Sequence, residues 1–280
     1  MKAAALTAIF LIIISFSYSQ TQDSLIAPWW VEKFKLTAGL FVPINNTKVQ
    51  VEASGTANGT DIDFNKDLGF DASQLTFLAN FQWRISRRSR VNLAYYNMNR
   101  TATHTLQKDI TFNDQVYHIN SSVSTYFNTS IYQFSYGYAF IEKPTYEVGV
   151  LIGAHTVGTK AGISLNGANS GVSQDNNFGF TAPLPDLGIW GGYAFSDRFA
   201  VNLDFDYLAL SINNIDGRLI AYNLVFLYKL TRQLEISLAY TGLNFTVKTT
   251  KKDVTGDFRW GYNGPALGLT FSFGEKSWKH

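Results

Sequence analysis

The chain contains no cysteine, and it has only six prolines and two methionines. The absence of cysteine excludes disulfide bridges, thiolate metal ligands and a lipid-modified N-terminal cysteine. The net formal charge is only +2, and one of the positive charges, Lys2, lies in a segment that we expect to be removed on export. So small a charge gives no electrostatic argument for a nucleic acid partner. We expect no cofactor.

Residues 1–19 have the pattern of a cleavable export signal. Lys2 gives a positive start, residues 3–16 are almost entirely apolar, and Ser17 and Ser19 are the small residues that a signal peptidase reads. The apolar run is shorter than the roughly 20 residues of a membrane-spanning helix, which argues against the alternative of a retained anchor. No later apolar stretch reaches that length. We therefore expect cleavage after Ser19.

Alternation of apolar and polar residues is the main pattern in the rest of the chain. In the first clear example, Phe77, Phe81 and Trp83 share one face while Asn80 and Gln82 share the other. A period of two places successive side chains on opposite faces of an extended strand. One face is apolar enough for lipid, and the other is small and polar, as in a wet interior. Most later segments repeat this arrangement.

Ten such strands are predicted between residues 34 and 273. Short turns near residues 88, 143, 197 and 232 alternate with connections that are mostly longer. This asymmetry is typical of a transmembrane barrel with short periplasmic turns and longer surface loops. Pro43 is predicted to bend one long first strand, because proline disrupts a ladder locally without ending it. A turn there would change the count, with eight or twelve strands as the alternatives.

The boundaries of the domains and loops follow from the same pattern. Residues 20–33 are expected to form a periplasmic lead-in, residues 34–273 the barrel, and residues 274–280 a periplasmic tail. Polar loops are expected at 54–73 and 162–180. The third strand is expected to run from Val91 toward Thr111 and to turn back at Asn113 and Asp114, and the last strand is expected to span 264–273.

Aromatic residues make up 15% of the chain and recur beside the short turns. Such rings settle where a membrane meets water. The predicted girdle consists of Phe34, Trp83, Phe140, Tyr146, Phe195, Phe199, Tyr228 and Phe273. A soluble β-sandwich or lipocalin-like barrel also alternates, but its apolar residues face a packed core. The aromatic strand ends and the turn asymmetry favour an all-β, up-and-down antiparallel transmembrane barrel.

The export signal, the ten alternating strands and the aromatic-ended last strand resemble the outer-membrane β-barrel proteins of Gram-negative bacteria. Residues 61–64, 67–70 and 109–112, which read DIDF, DLGF and DITF, look like elements of members of that group. The resemblance implies an outer-membrane location and insertion by the barrel-insertion machinery through the last strand. Residues 274–280 depart from the pattern, since many such chains stop at the terminal aromatic residue. We expect a monomer whose other partners are outer-membrane lipids.

Charged residues on the inward face form the candidate functional site. The predicted lumen network consists of Lys35, Arg84, Glu147, Lys229, Glu235, Asp186, Asp204 and Asp206. In a narrow barrel, charges without water must pair, so a network that plugs the lumen is favoured over a constriction that selects solutes by charge. The turn residues Arg87, Arg88 and Arg90 are expected to stay solvated.

Neither catalysis nor metal binding has a strong signature. His104, His118, His155 and His280 lack a nearby serine and carboxylate in the sequence, and inward-facing His155 is the least implausible candidate. Residues 61–67 place oxygen ligands at alternate positions, but Lys66 stands where a calcium loop needs glycine, and no glutamate follows at the twelfth position. The sequence therefore favours a non-enzymatic protein, either a structural or surface barrel or a small-solute pore. The alternative is an outer-membrane hydrolase or lipid-modifying enzyme with a site at the lumen edge or in the surface loops.

Overall fold

The computed structural model describes residues 27–53, 61–112, 115–166, 175–212, 215–251 and 254–274. The expected export signal, the turn at Asn113 and Asp114, and residues 275–280 lie outside the described residues. Fourteen strands and one helical turn occur within them. The strands are β1 (Phe34–Phe41), β2 (Ile44–Ala53), β3 (Asp61–Asp63), β4 (Thr76–Arg84), β5 (Ser89–Thr105), β6 (Ile110–Phe112), β7 (Gln115–Tyr117), β8 (Ser122–Glu142), β9 (Tyr146–Leu165), β10 (Asp175–Ala194), β11 (Phe199–Ile212), β12 (Ile215–Lys229), β13 (Leu234–Lys251) and β14 (Val254–Phe273). The helical turn α1 is Phe64–Asp67.

The strands close into an antiparallel barrel. Each barrel strand pairs with its neighbours along the chain, and β14 returns to pair with β1, so the sheet has no free start or end there. β1 and β2 count as one barrel strand, because β14 pairs with β1 over residues 266–273 and with β2 over residues 254–263. Between the two runs, the backbone N–H of Val42 donates to the carbonyl of Pro265 at 3.0 Å. The prediction of ten strands with a bend at Pro43 is confirmed.

Four short turns join strands at one end of the barrel, hereafter the short-turn end. In three of these turns, the second residue after the strand has a hydroxyl that accepts a hydrogen bond from the backbone N–H three residues later. Ser86 accepts from Ser89, Ser196 from Phe199, and Thr231 from Leu234, at 3.0–3.1 Å. A side-chain oxygen in this position satisfies a turn amide that the ladder leaves unpaired. Serine and threonine at these places therefore specify tight reversals.

The apolar face of the strands points outward, as predicted. Leu36, Leu40 and Ile152 are 49%, 52% and 57% exposed, whereas inward-facing Phe41 is fully buried. Seven of the eight predicted girdle residues are exposed on the outer wall, and Phe34, which is half-buried, stacks on Phe273 with ring centroids 5.2 Å apart. A soluble sandwich would place these residues in its core. Among the described residues, no helix is long and apolar enough to cross a membrane.

The longer connections differ from the predicted loops. Residues 54–73 contain β3 and α1, and β5 ends at Thr105, after which β6 and β7 form a separate hairpin. β9 and β10 extend into the expected loop at 162–180, and β14 begins at Val254, ten residues before the predicted start. The parts of a strand that extend beyond the apolar outer wall do not need apolar residues on their outer face. The alternation of apolar and polar residues is therefore lost there, and sequence periodicity cannot detect these parts. The five connections at the opposite end, β2 to β4, β5 to β8, β9 to β10, β11 to β12 and β13 to β14, define the loop end of the barrel.

Candidate functional site in the barrel lumen

Glu147 on β9 is the centre of a buried ionic cluster at the short-turn end. Its carboxylate accepts from Arg84 at 2.6 and 3.2 Å and from Arg87 at 2.7 Å. Arg84 and Glu147 are both fully buried. The two predicted network residues are thus brought together, with Arg87 as a third member. Arg88 pairs nearby with Glu142, at 2.8 Å.

The expectation that Arg87 and Arg90 stay solvated is wrong. Both side chains are buried, because the turn after β4 is short and inward-facing carboxylates lie opposite it. Arg90 bonds Asp204 on β11, and its guanidinium lies 3.7 Å from the ring centroid of Trp190. Space for this indole comes from Gly149, where a Cβ would stand 2.5 Å from its Nε1. The sequence shows the inward glycines but not the stacked arginine that they accommodate.

Lys35 and Glu235 form a second buried pair, with Nζ and Oε2 2.8 Å apart. Glu235 also accepts from the Ser272 hydroxyl at 2.8 Å, and Lys35 also donates to the Trp30 carbonyl at 3.2 Å. The pair therefore fastens the segment before β1 to the barrel wall. Lys229 does not join it: among the described residues it has no carboxylate partner, and its ammonium lies 5.4 Å from the Trp29 ring centroid.

Residues 27–33 of the expected lead-in precede β1, which begins at Phe34, and they enter the short-turn end of the lumen. Trp30 and Val31 are 2% and 1% exposed and pack against Ala200 and Leu227. The carbonyl of Lys33 accepts from the backbone N–H of Arg84 at 2.8 Å. The apolar run at residues 25–31, which includes Trp29 and Trp30, was the available signal for this insertion.

Polar side chains surround a chamber in the middle of the lumen. It has a volume of about 140 Å³, and its lining includes Asn80, Asn92, Arg90, Asn202 and Asp204. A space of this size has room for several water molecules. A second volume of about 50 Å³ adjoins the same wall and shares Asp204. The chamber is a local widening of the lumen and not a channel of constant bore.

Three further predicted residues meet beside this chamber. His155 Nδ1 lies 2.7 Å from Asp186 Oδ2, and both side chains are buried. Asp206 is 3% exposed, and neither its Oδ1 nor that of Asp186 has a hydrogen-bond partner among the described residues. Two buried carboxylates with free oxygens in one compartment repel each other unless a proton or water intervenes.

An apolar cluster fills the loop end of the lumen. Phe64, Leu68 and Phe70 from the connection after β2 are buried there, together with wall residues such as Phe127 and Tyr262. The rings of Phe64 and Phe127 meet edge to face at 5.1 Å. The interpretation of residues 54–73 as a polar loop is therefore wrong for its described part. The i, i+4 spacing of Phe64 and Leu68 is the signal that was overlooked.

The stretch weighed as a calcium loop uses its carboxylates to hold α1. Asp63 caps the helical turn, accepting from the backbone N–H groups of Asn65 and Lys66 at 3.1 and 3.2 Å. Asp67 accepts from the Asp63 N–H at 2.8 Å and pairs with Lys108 at 2.7 Å. These bonds use Asp63 Oδ1 and Asp67 Oδ2 to shape the helical turn.

The other histidines lie apart from this site. His104 packs against Gly69 near the loop end, and His280 is outside the described residues. His118 is exposed on the β6–β7 hairpin, 3.4 Å from Asp109. The backbone N–H of Ile119 donates to Asp109 Oδ1 at 2.7 Å, and this bond holds the pKa of the Asp109 carboxyl below its ordinary value. The hydrogen bond with His118 lowers the same pKa further.

Comparison with solved structures identifies the fold. The chain is similar to the outer membrane protease OmpT from Escherichia coli, with a TM-score of 0.51 and 12% identity over 88% of this chain and 100% of the other. The outer membrane protein OprG from Pseudomonas aeruginosa and the Pseudomonas putida toluene transporter TodX also align, covering 90% and 92% of this chain and 100% and 95% of theirs, with 11% and 9% identity and TM-scores of 0.35. TM-scores of 0.35 are too low to support a fold assignment. No protein-family model and no curated protein matches the sequence. The fold is a closed, ten-stranded antiparallel barrel of the outer-membrane type.

Proposed function

We propose that this chain is an integral outer-membrane β-barrel protein whose lumen is closed to solutes, with a structural or surface role and no enzymatic activity. The observation that carries the proposal is that both ends of the lumen are filled. Trp30 and Val31 lie in the short-turn end, and the apolar cluster around Phe64 and Phe70 lies in the loop end. A ten-stranded barrel is little wider than the side chains that fill it.

The outer wall supports the membrane location. Large apolar side chains about half exposed, such as Leu187, Ile189 and Leu267, recur on successive strands. A contiguous apolar surface of this kind exceeds the few hundred Å² that soluble monomers tolerate. Acyl chains are the environment that this wall fits, and we propose outer-membrane lipids as its partner. Insertion by the barrel-insertion machinery and a monomeric state belong to the same proposal.

A pore with a charged lumen is the less supported alternative. Four of the eight candidate selective charges are engaged with one another: Glu147 faces Arg84 as well as Arg87, and Lys35 faces Glu235. Paired charges leave little net field to attract an ion of either sign. The network therefore supports closure better than it supports selection.

The burial of the best candidate catalytic group, His155 with Asp186, argues against an enzyme. His155 and Asp186 lie beside the enclosed chamber and are 3% and 1% exposed. A general base must come within hydrogen-bond reach of the substrate proton that it removes. No peptide or glycolipid reaches this pair while both ends of the lumen are filled.

Single-channel recording in planar bilayers tests closure. We expect no conductance steps from the full chain. Truncating Trp30 and Phe64 together to alanine opens both ends and is expected to produce steps. The matched control is the double variant Trp29→Ala with Phe64→Ala, in which Trp30 is kept. Trp29 is only half-buried, and its indole donates to the Ser196 carbonyl at the short-turn end. Steady conductance of the unaltered protein would contradict the proposal.

A separate comparison tests the absence of enzymatic activity. Cells expressing the chain and cells expressing its His155→Ala variant are expected to show the same lipid A species and the same cleavage of a peptide library. A change in either that depends on His155 would establish an enzyme instead.

A further inference from the structure

A groove lies in the outer wall near the short-turn end, where β9, β10 and β11 run side by side. Its floor is Gly191 on β10, which pairs with Val148 on one side and with Leu203 on the other. A Cβ at Gly191 would have the Glu147 carbonyl oxygen at 3.4 Å and Val148 Cγ2 at 3.8 Å as its nearest neighbours, so the strand has room for a side chain there. The glycine therefore leaves a gap in a wall that large apolar side chains otherwise cover.

The groove is apolar and faces outward. It has a volume of about 390 Å³. Ile189, Tyr193 and Leu203 along it are 58%, 45% and 46% exposed, and Gly191 shares the outward face of β10 with the first two. The lining includes the backbone of Glu147, but its carboxylate lies inward in the buried ionic cluster. Cavities that hold small organic molecules measure about 300–1,000 Å³, so the groove can take a substantial length of an acyl chain.

Aromatic rings bound the groove toward the short-turn end. Tyr146 and Tyr193 lie directly opposite each other in the β9–β10 ladder, and their rings stack with centroids 6.5 Å apart. Phe195 packs edge to face on Tyr193 at 5.0 Å. Such rings settle at the level of lipid headgroups. A chain that follows the groove past them therefore arrives at the boundary between membrane and water.

Two basic side chains lie beyond these rings, on the turns that flank the groove. Lys143 on the β8–β9 turn and Arg198 on the β10–β11 turn are exposed, and neither side chain has a carboxylate partner among the described residues. The Thr145 carbonyl accepts from the Ala194 N–H at 2.7 Å, which holds the first turn beside the end of β10. With strands about 4.8 Å apart, the two turns are centred roughly 10 Å apart. Asp197 adjoins Arg198, so these three exposed groups have one net positive charge.

We propose that the groove binds one phospholipid molecule of the leaflet that meets the short-turn end. An acyl chain lies over Gly191, between Val148 and Leu203. The phosphate lies between Lys143 and Arg198, since ammonium and guanidinium groups are the usual partners of phosphate oxygens. The inference rests on the proposed membrane location, and it adds one specific lipid site to the general contact of the wall with acyl chains.

Native mass spectrometry measures binding to the unaltered protein. The protein is held in dodecyl maltoside, a detergent without phosphate, and is titrated with phosphatidylglycerol or with the diacylglycerol that has the same two acyl chains. We expect one phosphatidylglycerol to bind more tightly than any later one, and the diacylglycerol to bind two- to tenfold more weakly, which is the effect of exposed ion pairs. The double variant Lys143→Gln with Arg198→Gln is expected to lose this preference. The control Arg232→Gln, on the β12–β13 turn, is expected to retain it.

Gly191→Leu fills the groove. It is expected to weaken binding of the first phosphatidylglycerol at least tenfold, because excluding two or more methylenes from apolar contact has about that effect. The matched control is Gly158→Leu, since Gly158 lies on the outward face of β9 nearer the loop end, and a Cβ there would have its nearest neighbour at 3.7 Å. This control should leave the affinity unchanged.

Three results would each overturn the lipid site while leaving the membrane location intact: no preferred first lipid, equal affinity for the two lipids, or unchanged affinity in Gly191→Leu. An unchanged preference in the double variant would overturn the role given to Lys143 and Arg198, and the proposal with it. A chain that stays dissolved and monodisperse without detergent would instead refute the membrane location on which the site rests. The comparison of the two lipids uses the unaltered protein, so it stands if a variant fails to fold.

Discussion

Glu147→Gln removes the carboxylate that two buried arginines share while keeping the size of the side chain. In the folded barrel, Arg84 and Arg87 donate to it at 2.6 and 2.7 Å, and Arg84 is fully buried. Removing one member of a buried ion pair leaves an uncompensated charge and typically costs about 3–5 kcal/mol. We expect the free energy of unfolding to fall by about that amount.

The assay is reversible urea unfolding in lipid vesicles, followed by tryptophan fluorescence. Asp67→Asn is the control, because Asp67 pairs with Lys108, whose side chain is 45% exposed, and an asparagine oxygen still accepts from the Asp63 N–H. Its loss should be about 1 kcal/mol or less, as for ion pairs near water. Equal losses in the two variants, or no loss in Glu147→Gln, would refute the assignment of a buried charge cluster.

Three further predictions concern single side chains. Asp206→Asn is expected to raise the free energy of unfolding by about 1–3 kcal/mol, because folding must either bury the Asp206 carboxylate near other carboxylates or protonate it, and asparagine bears neither cost; the exposed turn variant Asp197→Asn should change it little under the same urea assay. Gly149→Ala is expected to destabilise by about 1–3 kcal/mol, since its Cβ would meet a backbone carbonyl at 2.4 Å, whereas Gly217→Ala, with its nearest neighbour at 3.7 Å, should be nearly neutral. The Asp109 carboxylate accepts from the amide of Ile119, and its pKa is lowered. We therefore expect this hydrogen bond to be present at pH values above the ordinary carboxyl pKa and to be lost as the pH falls through the folded-state pKa. The amide chemical shift should report that loss, and a shift unchanged through acid pH would contradict it.

The sequence was sufficient to predict the barrel because lipid and lumen impose opposite demands on alternate residues. Leu36 and Leu40 face outward and Lys35 inward for this reason, and the same pattern predicted ten strands and the bend at Pro43. Contacts between segments distant in the chain carry no such periodicity. The position of Trp30 inside the lumen depends on Gly192, more than 150 residues away, where a Cβ would stand 2.5 Å from the indole.

The partners of the inward charges were predictable only in part. Lys35 and Glu235 were expected in one network, and they form a pair at 2.8 Å. Arg90 lies with Arg87 and Arg88 on a predicted short turn, and turn residues are expected to stay solvated. Its burial follows from the depth at which β5 begins and from the flat indole of Trp190 opposite, neither of which can be read from local sequence.

The division of the first strand at Pro43 lets the two rims of the molecule close independently. The lower run, β1 against β14, forms a complete hoop with β4 on its other edge, and the upper run, β2 against β14, makes no ladder with β5. Hydrogen bonds lost in the upper run leave the hoop intact, since each run has its own set. Opening of the upper ladder would therefore leave the barrel closed below Pro43, although the apolar cluster around Phe64 and Phe70 resists that opening.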